Sequence, residues 1–183
     1  MKQLWLLLSL LLPTAVQAGE IVFSEIEFRD GRYFIEVEAV VTGNADIVYD
    51  LLTDFDNLTL LNPDIKESRL VYSLDDQTHR THIIAESCIT FYCQKITLEQ
   101  DVEEIANGII VTTVDAEKSD FVYGHARWKV IDEFRQTRIK YSNDLKPKFF
   151  IPPLIGPLLV KQKLEEEILT TIQGLETLAD SVE

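Results

Sequence analysis

The sequence predicts an α+β fold: a curved antiparallel sheet of about seven strands wrapped round one long C-terminal helix, with two short helices after the first strand. Three observations carry it. Residues 65–145 fall into segments of eight to twelve residues rich in Val, Ile, Thr and aromatics, separated by short turn signals. No gap between them can hold the crossover helix that parallel strands need. From Gly156 onward one apolar stripe runs at helical spacing to the end of the chain. An amphipathic helix and a sheet must bury their apolar faces on each other.

The first strand is read at 33–41, where Ile35, Val37 and Ala39 alternate with Glu36 and Glu38, the pattern of a strand with one wet face. Thr42-Gly43-Asn44 breaks it, and Asn44 can cap a helix by accepting a free first-turn amide. Ile47, Val48, Leu51 and Leu52 then predict a helix over 45–53. A second short helix is expected over Phe55–Leu61, stopped by Asn62-Pro63-Asp64. Six strands follow, at roughly 65–73, 78–88, 93–104, 109–116, 121–131 and 136–145. Leu74–Gln77, Asn107-Gly108, Lys118–Asp120 and Asp132-Glu133 serve as breaks. Pro157 opens the long helix at a first-turn position, where its missing amide is harmless. Val160, Leu164, Ile168, Ile172, Leu175 and Ala179 form the stripe, flanked by Lys161, Lys163 and Glu165–Glu167. Gly174 inside this helix implies close approach of the helix to the sheet.

This order, and particular words within it, resemble the START-like (SRPBCC) superfamily, whose members include birch-pollen allergens, polyketide cyclases, lipid-transfer START domains and coenzyme-Q-binding proteins. The resemblance rests on Ala45–Asn57, with its Thr53-Asp54-Phe55 turn, and on Leu61-Asn62-Pro63. Gly124 with Trp128 and Val130, the Thr137–Tyr141 strand and the long C-terminal helix add to it. It covers most of residues 33–180 and is nearest the polyketide cyclase and coenzyme-Q-binding branch. It implies a helix-grip fold whose sheet and long helix enclose an apolar cavity, which in many members holds a sterol, lipid, quinone or polyketide; the cargo expected here is a lipid, fatty acid or quinone-like molecule.

Composition sets the outer limits. The 183 residues suit one domain with a real core. A net charge of −14 repels nucleic acid and anionic headgroups, so no nucleic-acid partner is expected. Met1-Lys2, the apolar run Leu4–Leu12 and Val16-Gln17-Ala18 form the three-part pattern of a secretory signal. The run is far shorter than the roughly 20 residues that span a bilayer. The expectation is a signal peptide over 1–18, cut after Ala18, and a single START-like domain over 19–183 in the periplasm. Two cysteines in an exported chain favour a bond between Cys88 and Cys93. No histidine has a zinc-finger spacing to the pair, so no metal and no cofactor is expected.

No convincing catalytic set is present: no Gly-x-Ser-x-Gly, no His-Glu-x-x-His and no phosphate-cradling glycine loop. His79 and His82 lie three apart on a strand and point to opposite faces. His125 shares a face with Tyr123, Arg127 and Lys129, read as solvated because Gly124, Ala126, Trp128 and Val130 take the other. Two apolar loops stand out. Cys88–Cys93 carries Ile89, Phe91 and Tyr92 at a hairpin tip; Phe149–Ile155 follows Lys146 and Lys148. Each either completes the core or forms a lip or gate at a cavity, open to transient membrane contact through 89–92 and 149–155.

The reading of function is an exported carrier or sensor for a hydrophobic small molecule. Its ligand-binding candidates are Phe91, Tyr92, Trp128, Tyr141, Phe149, Phe150, Leu164 and Ile168. The alternatives are a cyclase/aromatase-like enzyme, with His82, Glu86 or Tyr141 as inward acid or base, and a protein-interaction module using the apolar loops.

Overall fold

The computed structural model describes residues 19–89, 92–151 and 156–182. Its strands are β1 (Glu20–Arg29), β2 (Arg32–Thr42), β3 (Ile65–Ser73), β4 (Thr78–Ile89), β5 (Tyr92–Ile105), β6 (Ile109–Val114), β7 (Phe121–Asp132) and β8 (Gln136–Pro147). The helices are α1 (Ala45–Thr53) and α2 (Gly156–Val182), with a 3-10 turn at Leu58–Leu60. The strands form one antiparallel sheet in the order β1-β2-β8-β7-β6-β5-β4-β3. The expected helix over Phe55–Leu61 is reduced to that single turn.

The sheet has eight strands rather than seven. The additional one, β1, pairs with β2 from Glu20–Val40 to Arg29–Arg32. The turn between them is Asp30-Gly31, with φ of 55° and 75°. These left-handed values at both central positions make the two-residue hairpin whose twist matches its strands. β1 buries Ile26 alone, so its alternation is weak and the Asp-Gly pair is its clearest signal in the sequence. A second two-residue turn lies one step beyond the expected Asp132-Glu133 break. It uses Phe134 and Arg135, both at positive φ.

Every connection between strands is a hairpin except one. The chain leaves β2, crosses through α1 and the 3-10 turn, and enters the far edge at β3. From β8 it returns through α2 across the concave face. Asn44 caps α1 as expected, its Oδ1 accepting from the Asp46 amide at 2.7 Å.

The α2 stripe is divided in two. Ile172, Leu175 and Ala179 are fully buried with Ala39, Val41, Val48, Leu61 and Ile139. Val160, Leu164 and Ile168, one to four turns earlier, are only partly buried against Ile35 and Val37. The tight half is pinned by Glu176, whose Oε2 accepts from the Thr42 amide at 2.6 Å. Gly174 marks the closest approach, but not to the sheet as expected. A Cβ there would lie 2.1 Å from the Leu61 carbonyl oxygen, on the segment joining α1 to β3.

Cys88 and Cys93 are bonded, with Cα atoms 4.0 Å apart, and face each other across the β4–β5 hairpin. Phe91 lies outside the described residues. Ile89 and Tyr92 pair through their backbones. Among the described residues, no helix is long and apolar enough to cross a membrane.

Two measurements check this account. Gly174→Ala gains about 1 kcal/mol of helix propensity but forces α2 off Leu61. The net expectation is a loss of about 2 kcal/mol in urea unfolding; a stabilised variant would contradict the close approach. Replacing both cysteines by serine removes a short closed loop and should cost about 2 kcal/mol by the loop-entropy relation, with the fold's circular dichroism unchanged.

Candidate functional site

Where α2 stands off the sheet, a cavity of about 260 Å³ opens. Three elements wall it. Leu164 and Ile168 come from α2, Leu52, Phe55, Leu58 and Leu61 from α1 and the turn after it. Ile35, Ile83, Val102, Ile110, Trp128 and Tyr141 come from the sheet. Strand alternation sends every second residue of β4–β8 inward, which is why Trp128 and Tyr141, directly paired across β7 and β8, share this wall. Their rings pack at 4.2 Å between centroids.

The structure brings four of the sequence-derived candidates together here: Trp128, Tyr141, Leu164 and Ile168. The other four lie elsewhere. Phe149 packs edge-on against Phe121, centroids 6.2 Å apart. Phe150 is 82 % exposed. Phe91 is outside the described residues, and only the backbone of Tyr92 is placed. Ile151, next to Phe150, is partly buried against the β2 cluster.

The acid–base candidates separate as well. Ile83 faces the cavity, so His82 and Glu86, at odd offsets from it on β4, project from the opposite face. His82 Nδ1 lies 3.6 Å from Glu99 there, and Glu86 is exposed. His79 sits on the inner side instead, with its ring 5.5 Å from Phe55 and Nε2 3.1 Å from Glu104. The two histidines therefore point apart. His125, Arg127, Tyr123 and Lys129 are exposed and Gly124, Ala126 and Val130 are buried. Tyr141 faces the cavity, and burial pushes its phenol up to about 12, so it stays protonated at neutral pH.

Several polar groups that the sequence reading did not single out line or border the cavity: Gln100, Thr112, Asn143, Glu167 and Thr171. Glu167 was expected among the charges flanking the stripe. It lies three residues after Leu164 and one before Ile168, within the inward arc of the helix. The carboxylate is held by a small network. Asn62, almost fully buried, donates to Glu167 Oε2 at 2.9 Å and to Thr171 Oγ1 at 3.1 Å, while its Oδ1 accepts from the Asp64 amide. Asn62-Pro63 thus does more than end a helix: it ties the α1–β3 segment to α2. Lys163 Nζ lies 3.0 Å from Asp64 and 3.1 Å from Glu167.

Burial pushes the Glu167 carboxyl up, and its hydrogen bond to Asp64 adds to this. Asn62 and Lys163 oppose the shift only in part. Burial acts upward on Asp64 too, but its hydrogen bonds with Glu167 and Lys163 and the nearby lysine charges outweigh it, and Asp64 lies below the ordinary carboxylate range. Of the two carboxyls, Glu167 is therefore the weaker acid.

The comparisons with known proteins agree with this architecture. Residues 41–167 match the family described as polyketide cyclase / dehydrase and lipid transport. The chain belongs to that family. Solved structures share the fold. A START superfamily protein from Mycobacterium smegmatis is 18% identical, with a TM-score of 0.65 over 82% of this chain and 99% of its own. The Zhui aromatase/cyclase from Streptomyces sp. R1128 is 12% identical, with a TM-score of 0.66 over 81% and 94%. A STAR-related lipid transfer protein from Xanthomonas axonopodis is 16% identical, with a TM-score of 0.56 over 84% and 97%. At these identities the likeness concerns the fold. No curated protein sequence matches the chain.

The Glu167 site gives a pH signature. A carboxyl raised on folding favours the folded state while protonated, and that advantage is lost as pH rises through its folded value. Glu167→Gln keeps a polar group for Asn62 and removes the titration. Urea midpoints of the two proteins should draw together near pH 4, below the ordinary value of 4.5. The variant should become the more stable of the two by pH 7. A variant weaker at pH 7 would show that the ionised form is the one the network holds.

Proposed function

We propose that the protein binds a hydrophobic small molecule, lipid- or quinone-like, between the sheet and α2, and acts as a carrier or sensor rather than a catalyst. The observation that carries this reading is the apolar cavity under Leu164 and Ile168, left where α2 diverges from the sheet. Its volume lies just below the roughly 300–1,000 Å³ usual for ligand sites, which suits a slim molecule. Burying apolar surface stabilises a complex by roughly 25 cal/mol per Å², so micromolar binding requires no reacting group. The family's description includes lipid transport, and the Xanthomonas neighbour is titled a lipid transfer protein. Both support a cargo of this class.

One observation favours the enzyme alternative, cyclase- or aromatase-like: Glu167, a carboxyl raised by burial at the cavity wall, is suited to general acid work. His82 and Glu86 are poorly placed for it. Turnover abolished by Glu167→Gln with ligand affinity retained would favour the enzyme.

The proposal extends to place. The Cys88–Cys93 bond supports an oxidising compartment, in keeping with a signal peptide over 1–18 and a periplasmic mature chain. Exposed Phe150 supports transient membrane contact during loading through the 149–155 segment, of which 152–155 lie outside the described residues.

Native mass spectrometry of protein purified from its own compartment tests the reading. The expected result is a lipid- or quinone-sized adduct on a chain beginning at Gly19 and two hydrogens light. Ile168→Trp, which fills the cavity from α2, should lower adduct occupancy at least about tenfold with the fold intact. A clean apo mass that added lipids and quinones leave unchanged would sink the carrier reading.

A further inference from the structure

The two walls of the cavity differ in chemistry. The α2 and α1 side is mainly apolar, with Glu167 and Thr171 at its edge, whereas the sheet side carries a polar band. Thr112, Ala126 and Asn143 lie in register across β6, β7 and β8. Ala126 is small, so Thr112 and Asn143 flank a shallow gap. Gln100 on β5 and Tyr141 beside Asn143 complete the band.

The hydrogen-bonding capacity of this band is not used up by the protein. The Asn143 amide nitrogen donates to the Tyr141 phenol oxygen at 2.8 Å. Its carbonyl oxygen, Oδ1, is buried with no hydrogen-bond partner. Because the phenol oxygen is accepting, its hydrogen remains to be donated, and no acceptor for it is present among the described residues. The side chains of Gln100 and Thr112 likewise make no hydrogen bond to described residues. Unpaired buried polar groups are costly in a folded protein, and each calls for a partner.

Charge narrows what that partner is. Among the described residues, the ionisable groups lining the cavity are Tyr141 and Glu167. Tyr141 stays neutral, and no Lys, Arg or His lines the wall. An anionic head would be stripped of water beside a second carboxyl, with Lys163 already engaged by Asp64 and Glu167. A hydrocarbon would leave Asn143 Oδ1 and the phenol hydrogen unanswered. A ketone or quinone carbonyl could accept from Tyr141 but give nothing to Asn143. A hydroxyl both donates and accepts.

We propose that the cavity selects a neutral amphiphile that presents a hydroxyl group to Asn143 and Tyr141 and lays its apolar body against Leu164 and Ile168. The selection is for alcohols, phenols or quinols over the corresponding carboxylates, ketones or quinones. This rests on the reading that the cavity binds a hydrophobic small molecule, and it names the head group.

The experiment separates the two. Diphenylhexatriene, a fluorescent hydrocarbon with no polar atom, reports cavity occupancy in the disulfide-bonded protein. It is displaced at pH 8 by 1-decanol, 2-decanone or sodium decanoate, which share one chain length. The expected result is displacement by the alcohol at about tenfold lower concentration than by the ketone, and lower still than by the carboxylate. Asn143→Leu should bind diphenylhexatriene as the parent does and shrink the alcohol-to-ketone ratio to about threefold or less. Tyr141→Phe, which removes one oxygen, should shrink it too and serves should the first variant fail to fold. Equal displacement by alcohol and carboxylate, or an alcohol preference that survives both substitutions, overturns the hydroxyl assignment and leaves cavity binding standing. If diphenylhexatriene does not fluoresce with the parent protein and no competitor appears as an adduct in its native mass spectrum, the binding reading fails and the assignment with it.

Discussion

Gly174 lets α2 rest directly on the Leu61 carbonyl, at a distance that even one methyl group would forbid. With Glu176 hydrogen-bonded to the Thr42 amide and Ile172, Leu175 and Ala179 fully buried, the C-terminal half of α2 is clamped to the fold. A helix is stiff over this length. Once one half is held tightly against a sheet that curves, the other half must stand away from it. The cavity under Leu164 and Ile168 is the space that results, and its depth depends on the closeness of the clamp.

The segment between α1 and β3 belongs to the same device. It supplies Leu61 to the clamp, and Asn62 reaches one to two turns back along α2 to Thr171 and Glu167. Thus one short stretch both sets the angle of the helix and completes the polar edge of the cavity. Burial and the hydrogen bond to Asp64 push the Glu167 carboxyl up, which favours its neutral form over a buried charge that Lys163 offsets only in part.

The sheet carries the opposite character. Its strands β3 to β8 are joined by hairpins, so their pairing is local in sequence and their register is set at the turns. The bond between Cys88 and Cys93 staples one of these hairpins at its tip and closes no long loop. It therefore limits fraying of the β4–β5 end without holding the sheet to the helix. The non-local steps are the crossing from β2 to β3 and the return of α2, and both pass through the clamp.

Most of the architecture is legible in the chain because it follows from periodicity. Alternation in β2 and β4 to β8, the Asn44 cap and the α2 stripe each answer to a local rule, and the structure places them within a few residues of expectation. β1 escaped that reading because it buries Ile26 alone and its strand signal is the Asp30-Gly31 turn. The inward positions of Trp128, Tyr141, Leu164 and Ile168 also follow from face alternation. What periodicity cannot carry is distance between elements. Whether Glu167 flanks the apolar stripe or enters the cavity depends on the tilt of α2 against the sheet. That Asn143 is left with an unpaired oxygen depends on Ala126 and Thr112, its neighbours across two strand pairings. The sequence by itself determined which residues face inward, since face is a property of one strand or one helix. Only the tertiary structure decided which inward residues touch and which surround open space, since that depends on how closely two elements can approach, and here a single glycine sets it.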